Sequence, residues 1–544
     1  MKDRRTGGEV KIRLGVVNDN LMLLNGKIYT MDPQHPKAEA VAIRDHKIIA
    51  VGKNTDVENL GRANFRVINL EGKTVIPGLI DGHTHFLSLA YRLNKANLEG
   101  ISSFEKLLSV IADFCRDLTP KEWVVGDGWD KNIWGDESIF TRETLDKICP
   151  QNPVALQSKD HHVLWVNSLV LQFAGVDENT DDPSGGKIVK DPLTGKPTGI
   201  LKENAIGLVW DKIPSLSAQV CRELFRKALK MANSFGLTGI HNFEDQEAFR
   251  LFQGLWLDEN LTLRVSHWIA DGDLDSVICL GIGSSFGNEY LRFGGVKLYC
   301  DGTLGSQTAL MFEPYEGSSD NFGIEVTSLE ELTEITKKAS YAGISVSIHA
   351  IGDKGVHNAL SAIESSVPNT EGKNRLRHRI EHIQLLHPSD IERFKKLNVI
   401  SSVQPVHAPA DRPIAEKYWG KRCHSAYAYK TLSTHGALLV FGSDAPIESL
   451  DPLKGIYAAV MRKKPGEKES WNPGERLSVA KAVHAFTQGA SFASYEENIK
   501  GSIQAGKLGD LVILSQDIFE TDPEIIPDTK VEYTILGGRI VYQR

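Results

Sequence analysis

The middle of the chain alternates apolar, strand-like runs with stretches whose apolar residues follow helical spacing, such as residues 328–342 and 388–397. Strands that alternate with helices favour β/α units and a parallel sheet. Eight such units predict an α/β fold, the (β/α)8 TIM barrel. The predicted strands are residues 74–83, 236–243, 263–270, 294–302, 343–353, 376–384, 398–405 and 437–446.

The two ends of the chain follow a different pattern. Residues 20–76 hold short β-rich runs broken by Asn-Gly and Glu-Gly turns, and two similar runs follow after residue 507. We therefore predict a composite β-sandwich from residues 1–76 and 497–544, and a barrel from 77–95 and 206–496. Residues 96–205 are far too long for a βα connection. We expect them to form an inserted subdomain over the active site of the barrel, with a helix near 217–235 returning to it.

Composition narrows the class of protein. The net charge of −8 and the pI near 6.1 do not support a nucleic-acid partner, which favours a basic surface. The amino-terminal segment MKDRRTGGEVKIRLG lacks the apolar core of a signal peptide, and we find no apolar run of about 18 residues that would cross a membrane. The six cysteines are scattered without CxxC spacing, so we expect neither a disulfide framework nor a thiolate zinc site. The cytoplasm is the expected location.

Two histidines end the first predicted barrel strand. In VIPGLIDGHTHF, residues 75–86, His83 and His85 are two positions apart and so share one face of an extended segment. Barrel enzymes build their active sites at the carboxyl ends of the strands. Two neutral imidazoles there suit a zinc-like ion, although two hydrogen-bonded histidines without a metal are common.

Other strands also carry polar residues near their ends. His349 is in phase with serines and opposite apolar residues, so it should point into the barrel. His378 and His382 are in phase, and His382 lies nearer the carboxyl end of its strand. Either could be a ligand or a core histidine. Asp444 ends an apolar strand, where an aspartate also serves as a turn or helix cap.

Lys297 lies inside an apolar strand, where a lysine is costly unless it is paired or neutralised. One interpretation is a salt bridge, with Asp301 as the partner. The other is a lysine that reacts with carbon dioxide to form a carbamate, an anion able to bridge two cations.

Six motifs together resemble the amidohydrolase superfamily, and specifically its family 3, the metal-dependent hydrolases that include N-substituted formamide deformylase. These are VIPGLIDGHTH, KLYCDGTLGSQTAL, SIHAIGD, HRIEHIQ, FGSDAPI and GSIQAGKLGDLVIL, in family order along nearly the whole chain. The resemblance implies the barrel with its two-ended β-sandwich. It also implies a metal centre with ligands from five strands: His83, His85, Lys297, His349, His382 and Asp444. Whether Lys297 is carboxylated stays open.

Several polar segments are candidates for substrate contacts. Residues 301–309, DGTLGSQTA, form a glycine-punctuated loop after Lys297 and offer Asp301, Ser306 and Thr308, or they form a plain βα turn. In the insert, the resemblance places His162, Trp165 and Asn167 near the pocket, and Glu203 is a weaker candidate; an ordinary structural loop is the alternative. Three tryptophans of the insert could form an aromatic wall, or belong to its core: Trp123, Trp129 and Trp134.

The resulting functional hypothesis is hydrolysis of a C–N bond in an amide or N-acyl compound, a formamide among them. A metal-activated water would attack, and Asp444 would act as general base and then as general acid. Alternatives are a cyclic amide or imide hydrolase, a deaminase on the same site, or a non-catalytic binding protein. One or two divalent ions are expected, with zinc the best fit and nickel, manganese or iron also suitable. The expected partner is a small amide-type substrate, and a homodimer is left open.

Overall fold

The computed structural model describes residues 20–116, 118–129, 139–158, 162–210, 212–214, 216–366 and 376–544. The chain forms two compact units. One joins the residues up to Phe86 to Leu229–Arg544, and the other is Leu87–Ala228. In sequence, the second unit is an insertion between two strands of the first, and it is wider than the predicted 96–205.

The described strands, in chain order, are β1 Leu21–Leu24, β2 Lys27–Tyr29, β3 Lys37–Ala38, β4 Ala40–Arg44, β5 Lys47–Gly52, β6 Arg66–Asn69, β7 Thr74–Pro77, β8 Leu79–Thr84, β9 Lys95–Asn97, β10 Val124–Trp129, β11 Val154–Ser158, β12 Val163–Val166, β13 Gly186–Lys190, β14 Pro197–Glu203, β15 Leu237–Phe243, β16 Arg264–Ala270, β17 Leu291–Tyr299, β18 Ser345–Ala350, β19 Arg379–His382, β20 Ile400–Val403, β21 Leu439–Phe441, β22 Leu511–Leu514, β23 Val531–Leu536 and β24 Arg539–Gln543.

The described α-helices are α1 Asn54–Glu58, α2 Phe86–Arg92, α3 Phe104–Arg116, α4 Arg142–Ile148, α5 Ser168–Ala174, α6 Gly207–Trp210, α7 Ala218–Ser234, α8 Gln246–Leu257, α9 Leu274–Cys279, α10 Leu329–Tyr341, α11 Asp353–Ser366, α12 Ile391–Leu397, α13 His407–Trp419, α14 Tyr429–Thr434, α15 Pro452–Met461, α16 Val479–His484 and α17 Ala490–Ala493. Among the described helices, none is long and apolar enough to cross a membrane.

A parallel sheet of eight strands confirms the predicted barrel. Its order is β21-β20-β19-β18-β17-β16-β15-β8, and a parallel bridge from Thr84 to Ala445 nearly closes it. In β18 the outward residues Val346 and Ile348 are fully buried under the helices, while His349 is on the opposite face. The sequence predicts this same arrangement, with the two apolar residues facing outward and His349 facing into the barrel.

The first predicted strand, residues 74–83, is divided between two sheets. Its first part, β7, belongs to a sheet of the terminal strands, and β8 opens the barrel. Gly78 stands at the break, where a Cβ would lie 2.2 Å from Oγ1 of Thr238. Only glycine fits there without displacing the neighbouring strand.

Strands from both ends of the chain form two sheets, β5-β4-β1-β6 and β24-β23-β22-β7-β2-β3. Apolar residues of the two sheets share one core, in which Leu23 and Val41 of the first sheet join Val75, Leu511 and Ile535 of the second. The strands of the two termini therefore form two additional sheets that share one apolar core.

The inserted unit has its own sheet, β13-β14-β12-β11-β10-β9. Its core includes Leu107, Trp129, Phe140 and Trp165. Cys115 and Cys149 form a disulfide in this unit, with their Cα atoms 6.2 Å apart. The sequence predicted no disulfide framework, and the spacing of the cysteines did not indicate this single bridge. The two cysteines are 34 residues apart in sequence, and the packing of the unit rather than a short motif pairs them.

Candidate metal centre

Four imidazoles meet at the carboxyl ends of three barrel strands. His83 lies in β8, His85 follows it, His349 lies in β18 and His382 ends β19. The ring centroids are 5.4 Å apart for His83 and His85, 5.0 Å for His83 and His382, and 4.6 Å for His349 and His382. Side chains that are up to 299 residues apart in sequence thus form one cluster.

Asp444 joins this cluster just after β21. Its Oδ1 atom is 3.3 Å from Nε2 of His85 and 3.5 Å from Nε2 of His83. Both Asp444 and His382 adopt positive φ angles, 60° and 76°. A non-glycine residue in this region costs about 1–3 kcal/mol and persists only where surrounding contacts impose it. Backbone strain is therefore present at two residues whose side chains turn into the cluster.

Each of the four imidazoles uses one ring nitrogen to donate a hydrogen bond outside the cluster. The bonds are Nδ1 of His83 to Oε2 of Glu381 at 2.6 Å, Nδ1 of His85 to the Phe243 carbonyl at 2.9 Å, Nδ1 of His382 to Oε1 of Gln404 at 2.9 Å, and Nε2 of His349 to the Gly302 carbonyl at 3.0 Å. A neutral imidazole that donates through one nitrogen offers a lone pair on the other. The arrangement is typical of histidines that bind a metal.

The protonation states agree with this arrangement. Burial lowers the pKa of His83 and of His349 to about 4, and it lowers the pKa of His382 well below its ordinary value. All three rings are therefore neutral near pH 7. Burial opposes the ionisation of Asp444, but the hydrogen bond from His407 holds its pKa well below the usual range. The cluster thus presents neutral nitrogens and one anion, which are ligands for a divalent cation.

Lys297 lies in β17 with its side chain in the same interior. Its Nζ atom is 5.0 Å from the centre of the Phe243 ring and 5.3 Å from that of Tyr299. Burial lowers the pKa of Lys297 to about 8, against the opposing attraction of Glu381 and Asp444. Among the described residues no salt bridge joins Lys297 to Asp301, so that interpretation of the sequence is wrong.

The donors fit a divalent cation. Nε2 of His83 is buried and has no hydrogen-bond partner in the described part of the chain. Among the residues that the structure describes, two groups of three donors lie close enough together to hold an ion: His83, His85 and Asp444, and His382, His407 and Asp444. An orphaned imidazole nitrogen beside a carboxylate is expected where a metal binds.

His407 is a residue of the centre that sequence analysis missed. It lies in the first turn of α13, and its Nε2 atom is 3.3 Å from Oδ2 of Asp444. Gln404, the partner of His382, precedes it in the same segment. The signal is the run Gln-Pro-Val-His, which spans the end of the seventh predicted strand and the two residues after it. His407 lies beyond the end of that predicted strand, so the alternation of side chains along the strand does not place it.

His378 lies apart from these contacts. It is buried before the start of β19, and its Nδ1 atom accepts a hydrogen bond from the Val346 N–H at 3.1 Å. This bond ties two neighbouring strands together, which is a structural role. Of the two histidines that the sequence left open, only His382 has its ring in the cluster.

Asp301, Ser306 and Thr308, the three candidates in the loop after β17, lie in different environments. Asp301 is buried and accepts hydrogen bonds from the N–H groups of Leu310 and Gly352 at 2.9 and 2.8 Å. Its carboxylate anchors the loop, which corrects the expectation that it contacts substrate. Ser306 and Thr308 bond to each other through their hydroxyls at 2.6 Å, on the more exposed part of the loop.

In the inserted unit, two of the four candidates belong to its interior. The Trp165 indole N–H donates to the Thr141 carbonyl, and the Asn167 side chain caps α5 and bonds to the backbone around it. Both residues are fully buried, so they serve packing and not substrate contact. His162 and Glu203 are exposed, with Nδ1 of His162 at 2.9 Å from Oε2 of Glu203.

The two described tryptophans of the predicted aromatic wall pack against other residues of the inserted unit. Trp129 is buried in the core of the inserted unit, and its indole N–H donates to the Leu156 carbonyl. Trp123 packs on Phe173 at a centroid distance of 6.0 Å. Trp134 lies outside the described residues. Trp123 and Trp129 thus have core roles, which was the alternative interpretation.

The chain is similar to known proteins along nearly its whole length. Residues 66–542 match the amidohydrolase family. The chain is 34% identical to Protein LONG AFTER FAR-RED 3 of Arabidopsis thaliana, over 97% of this chain and 92% of that protein. It is 25% identical to N-substituted formamide deformylase of Arthrobacter pascens, over 96% of this chain and 98% of that protein. The crystal structure of an uncharacterized metal-dependent hydrolase from Pyrococcus horikoshii OT3 aligns with 93% of this chain and 99% of that chain, at 28% identity and a TM-score of 0.76. The chain therefore belongs to the amidohydrolase family of metal-dependent enzymes, which hydrolyse carbon–nitrogen bonds other than peptide bonds.

Proposed function

We propose that this enzyme hydrolyses the C–N bond of a small N-acyl compound, with N-substituted formamides as the first class to test. The observation that carries the proposal is the convergence of four imidazoles and the Asp444 carboxylate at one mouth of the barrel. The formamide preference is taken from the name of the relative from Arthrobacter pascens.

The proposed metal ligands are His83, His85, Lys297, His349, His382 and Asp444, with zinc as the cation and one or two ions bound. Lys297 would serve as a carbamate, because a neutral or protonated amine at that position adds no negative charge to the centre. A bound divalent cation supplies a water of lowered pKa and polarises the substrate carbonyl.

In this proposal, Asp444 transfers a proton from the attacking water to the departing nitrogen. Its carboxylate is ionised, so Oδ1, which faces the histidines, is ready to accept a proton from the attacking water. It then gives the proton to the departing nitrogen, because an amine leaves poorly as an anion. His407 holds Oδ2 at 3.3 Å and so fixes the plane of the carboxylate. General acid–base help of this kind contributes about 10²–10⁴-fold.

The substrate contacts are proposed to come from Ser306 and Thr308 of the loop after β17. The loop begins at Gly302, whose carbonyl accepts from His349, so its start is tied to the centre. Hydroxyl groups can donate to or accept from the polar part of an amide and so orient it.

The test is amine release from a library of N-acyl compounds, with cyclic amides and imides and a ring-deamination substrate included. We expect turnover on an acyclic amide by the zinc-loaded protein, and a loss of about 10²–10⁴-fold in kcat for Asp444→Asn, which retains bound metal. Wild-type rates in that variant would end the assignment of Asp444. Turnover on ring substrates alone would replace the proposed substrate class. Metal binding without any turnover would favour a binding protein.

A further inference from the structure

A buried ion pair lies directly behind the metal centre. Glu381 is fully buried in β19, and besides the bond from His83 it accepts a hydrogen bond from the Ser347 hydroxyl at 2.6 Å. The Arg379 guanidinium donates to both oxygens of the same carboxylate. All lone pairs that face the protein are therefore used, which is the condition under which a buried charge is tolerated.

Arg379 extends this pair across the barrel. Its guanidinium donates to the Gly82 carbonyl at 2.7 Å, to Nδ1 of His241 at 2.9 Å and to the Ser402 hydroxyl. With Glu381, these groups link strands β8, β15, β18, β19 and β20. These hydrogen-bonded groups join five of the eight barrel strands, beneath the histidine cluster.

We propose that Glu381, oriented by Arg379, is a positioning residue that keeps the proton of His83 on Nδ1, leaves the Nε2 lone pair for the cation, and so sets the metal affinity of the centre. This inference rests on the metal centre of the proposed function. Nε2 of His83 has no hydrogen-bond partner in the described residues, so without Glu381 the proton of the ring could occupy either nitrogen.

The effect of Glu381→Gln follows from the number of acceptors. Glutamine has one acceptor oxygen, and the Arg379 guanidinium and the Ser347 hydroxyl both need it. The amide nitrogen then faces Nδ1 of His83 as a donor. The imidazole must accept there and carry its proton on Nε2, which is where a cation would bind. Loss of an outer partner of a metal-binding histidine typically lowers metal affinity about 10- to 100-fold.

The chain provides a matched control at the opposite ends of the barrel strands. Asp510 accepts from Nε and Nη2 of Arg264 at 2.6 and 2.9 Å, and both side chains are buried. Arg264 begins β16, whereas the metal centre lies at carboxyl ends. Asp510→Asn therefore neutralises a buried carboxylate bonded to an arginine, with the same cost to the fold but no effect on a metal ligand.

The experiment measures Zn²⁺ affinity by competition with a chromophoric chelator, without substrate. We expect Glu381→Gln to bind Zn²⁺ about 10- to 100-fold more weakly than wild type and Asp510→Asn to bind it within about twofold of wild type. Equal affinity of Glu381→Gln and wild type, or equal losses in both variants, overturns the proposal. Because no substrate is used, failure of amide hydrolysis in a protein that binds Zn²⁺ would refute the proposed function and leave this inference standing.

A second variant and a wild-type measurement cover the case in which Glu381→Gln fails to fold. Arg379→Met combined with Glu381→Leu removes both charges, a replacement that folded proteins often tolerate, and we expect the same loss of Zn²⁺ affinity. In wild type loaded with Co²⁺, NMR should show an exchangeable imidazole N–H resonance from Nδ1 of His83. A folded double variant with wild-type affinity, or a His83 ring without that proton, overturns the proposal.

Discussion

Replacing His378 with asparagine removes a buried, titratable ring but keeps a hydrogen-bond acceptor in a similar place. In the native protein Nδ1 of His378 accepts from the Val346 N–H at 3.1 Å, so the ring must stay unprotonated on that nitrogen. The oxygen of an asparagine side chain can accept the same bond. The variant therefore isolates the effect of proton binding at this position.

The size of the effect follows from the pKa. Burial lowers the pKa of His378 from 6.5 to about 4. Between these values the unfolded chain binds a proton that the folded protein refuses, so the free energy of unfolding falls as the pH falls. The contribution is complete above pH 6.5, and by about pH 5 roughly 2 kcal/mol of it is lost. In the asparagine variant, position 378 makes no pH-dependent contribution to the free energy of unfolding. Its smaller side chain lowers the stability by an amount that is the same at every pH.

Urea denaturation of both proteins, at about pH 7.5 and about pH 5 in the presence of a chelator, measures this difference. Other buried histidines titrate equally in the two proteins, so their contributions cancel on subtraction. We expect the stability advantage of wild type to shrink by roughly 2 kcal/mol at the lower pH, and Zn²⁺ binding at neutral pH to be unchanged in the variant. An advantage that is the same at both pH values would refute the reasoning, and loss of metal would make His378 a ligand.

Two further predictions follow from single contacts. His407→Leu should lower kcat about 10- to 100-fold, because a hydrogen bond to a charged group contributes about 1.5–3 kcal/mol, and His407→Gln should recover part of it; equal rates in both variants would exclude the role of His407 in holding Asp444. Cys115→Ser should lower the stability of the inserted unit by about 3–4 kcal/mol, since the disulfide closes a loop of 34 residues. Calorimetry with and without a reductant checks this. A wild-type unfolding temperature that is the same with and without reductant would contradict it.

The barrel was predictable because its strands are nearly continuous apolar runs between amphipathic helices. The alternation of His349 with Val346 and Ile348 along the chain is sufficient to turn that side chain inward, since the two apolar residues must face the helices. The break at Gly78 was not predictable. It depends on the packing of Thr238, which is 160 residues away in sequence.

The site was predictable where its residues lie in strands, and it was not where loops or side-chain partners decide. His407 lies beyond the end of its strand, so strand phase could not place it. Glu381 and Arg379 are in the motif HRIEHIQ, but their bonds to His83 and His241 depend on the closure of the barrel. For Trp165 and Asn167, burial within the inserted unit gave packing roles to residues that the family resemblance had placed near the substrate.

The most direct test of the central claim is the metal content of the purified protein, measured by elemental analysis before and after dialysis against a chelator, with amide hydrolysis assayed on the same samples. The account predicts one or two equivalents of a divalent metal, loss of activity in parallel with metal removal, and recovery on addition of Zn²⁺. A protein without stoichiometric metal, or one whose hydrolysis of an N-acyl substrate is unaffected by the chelator, would contradict it.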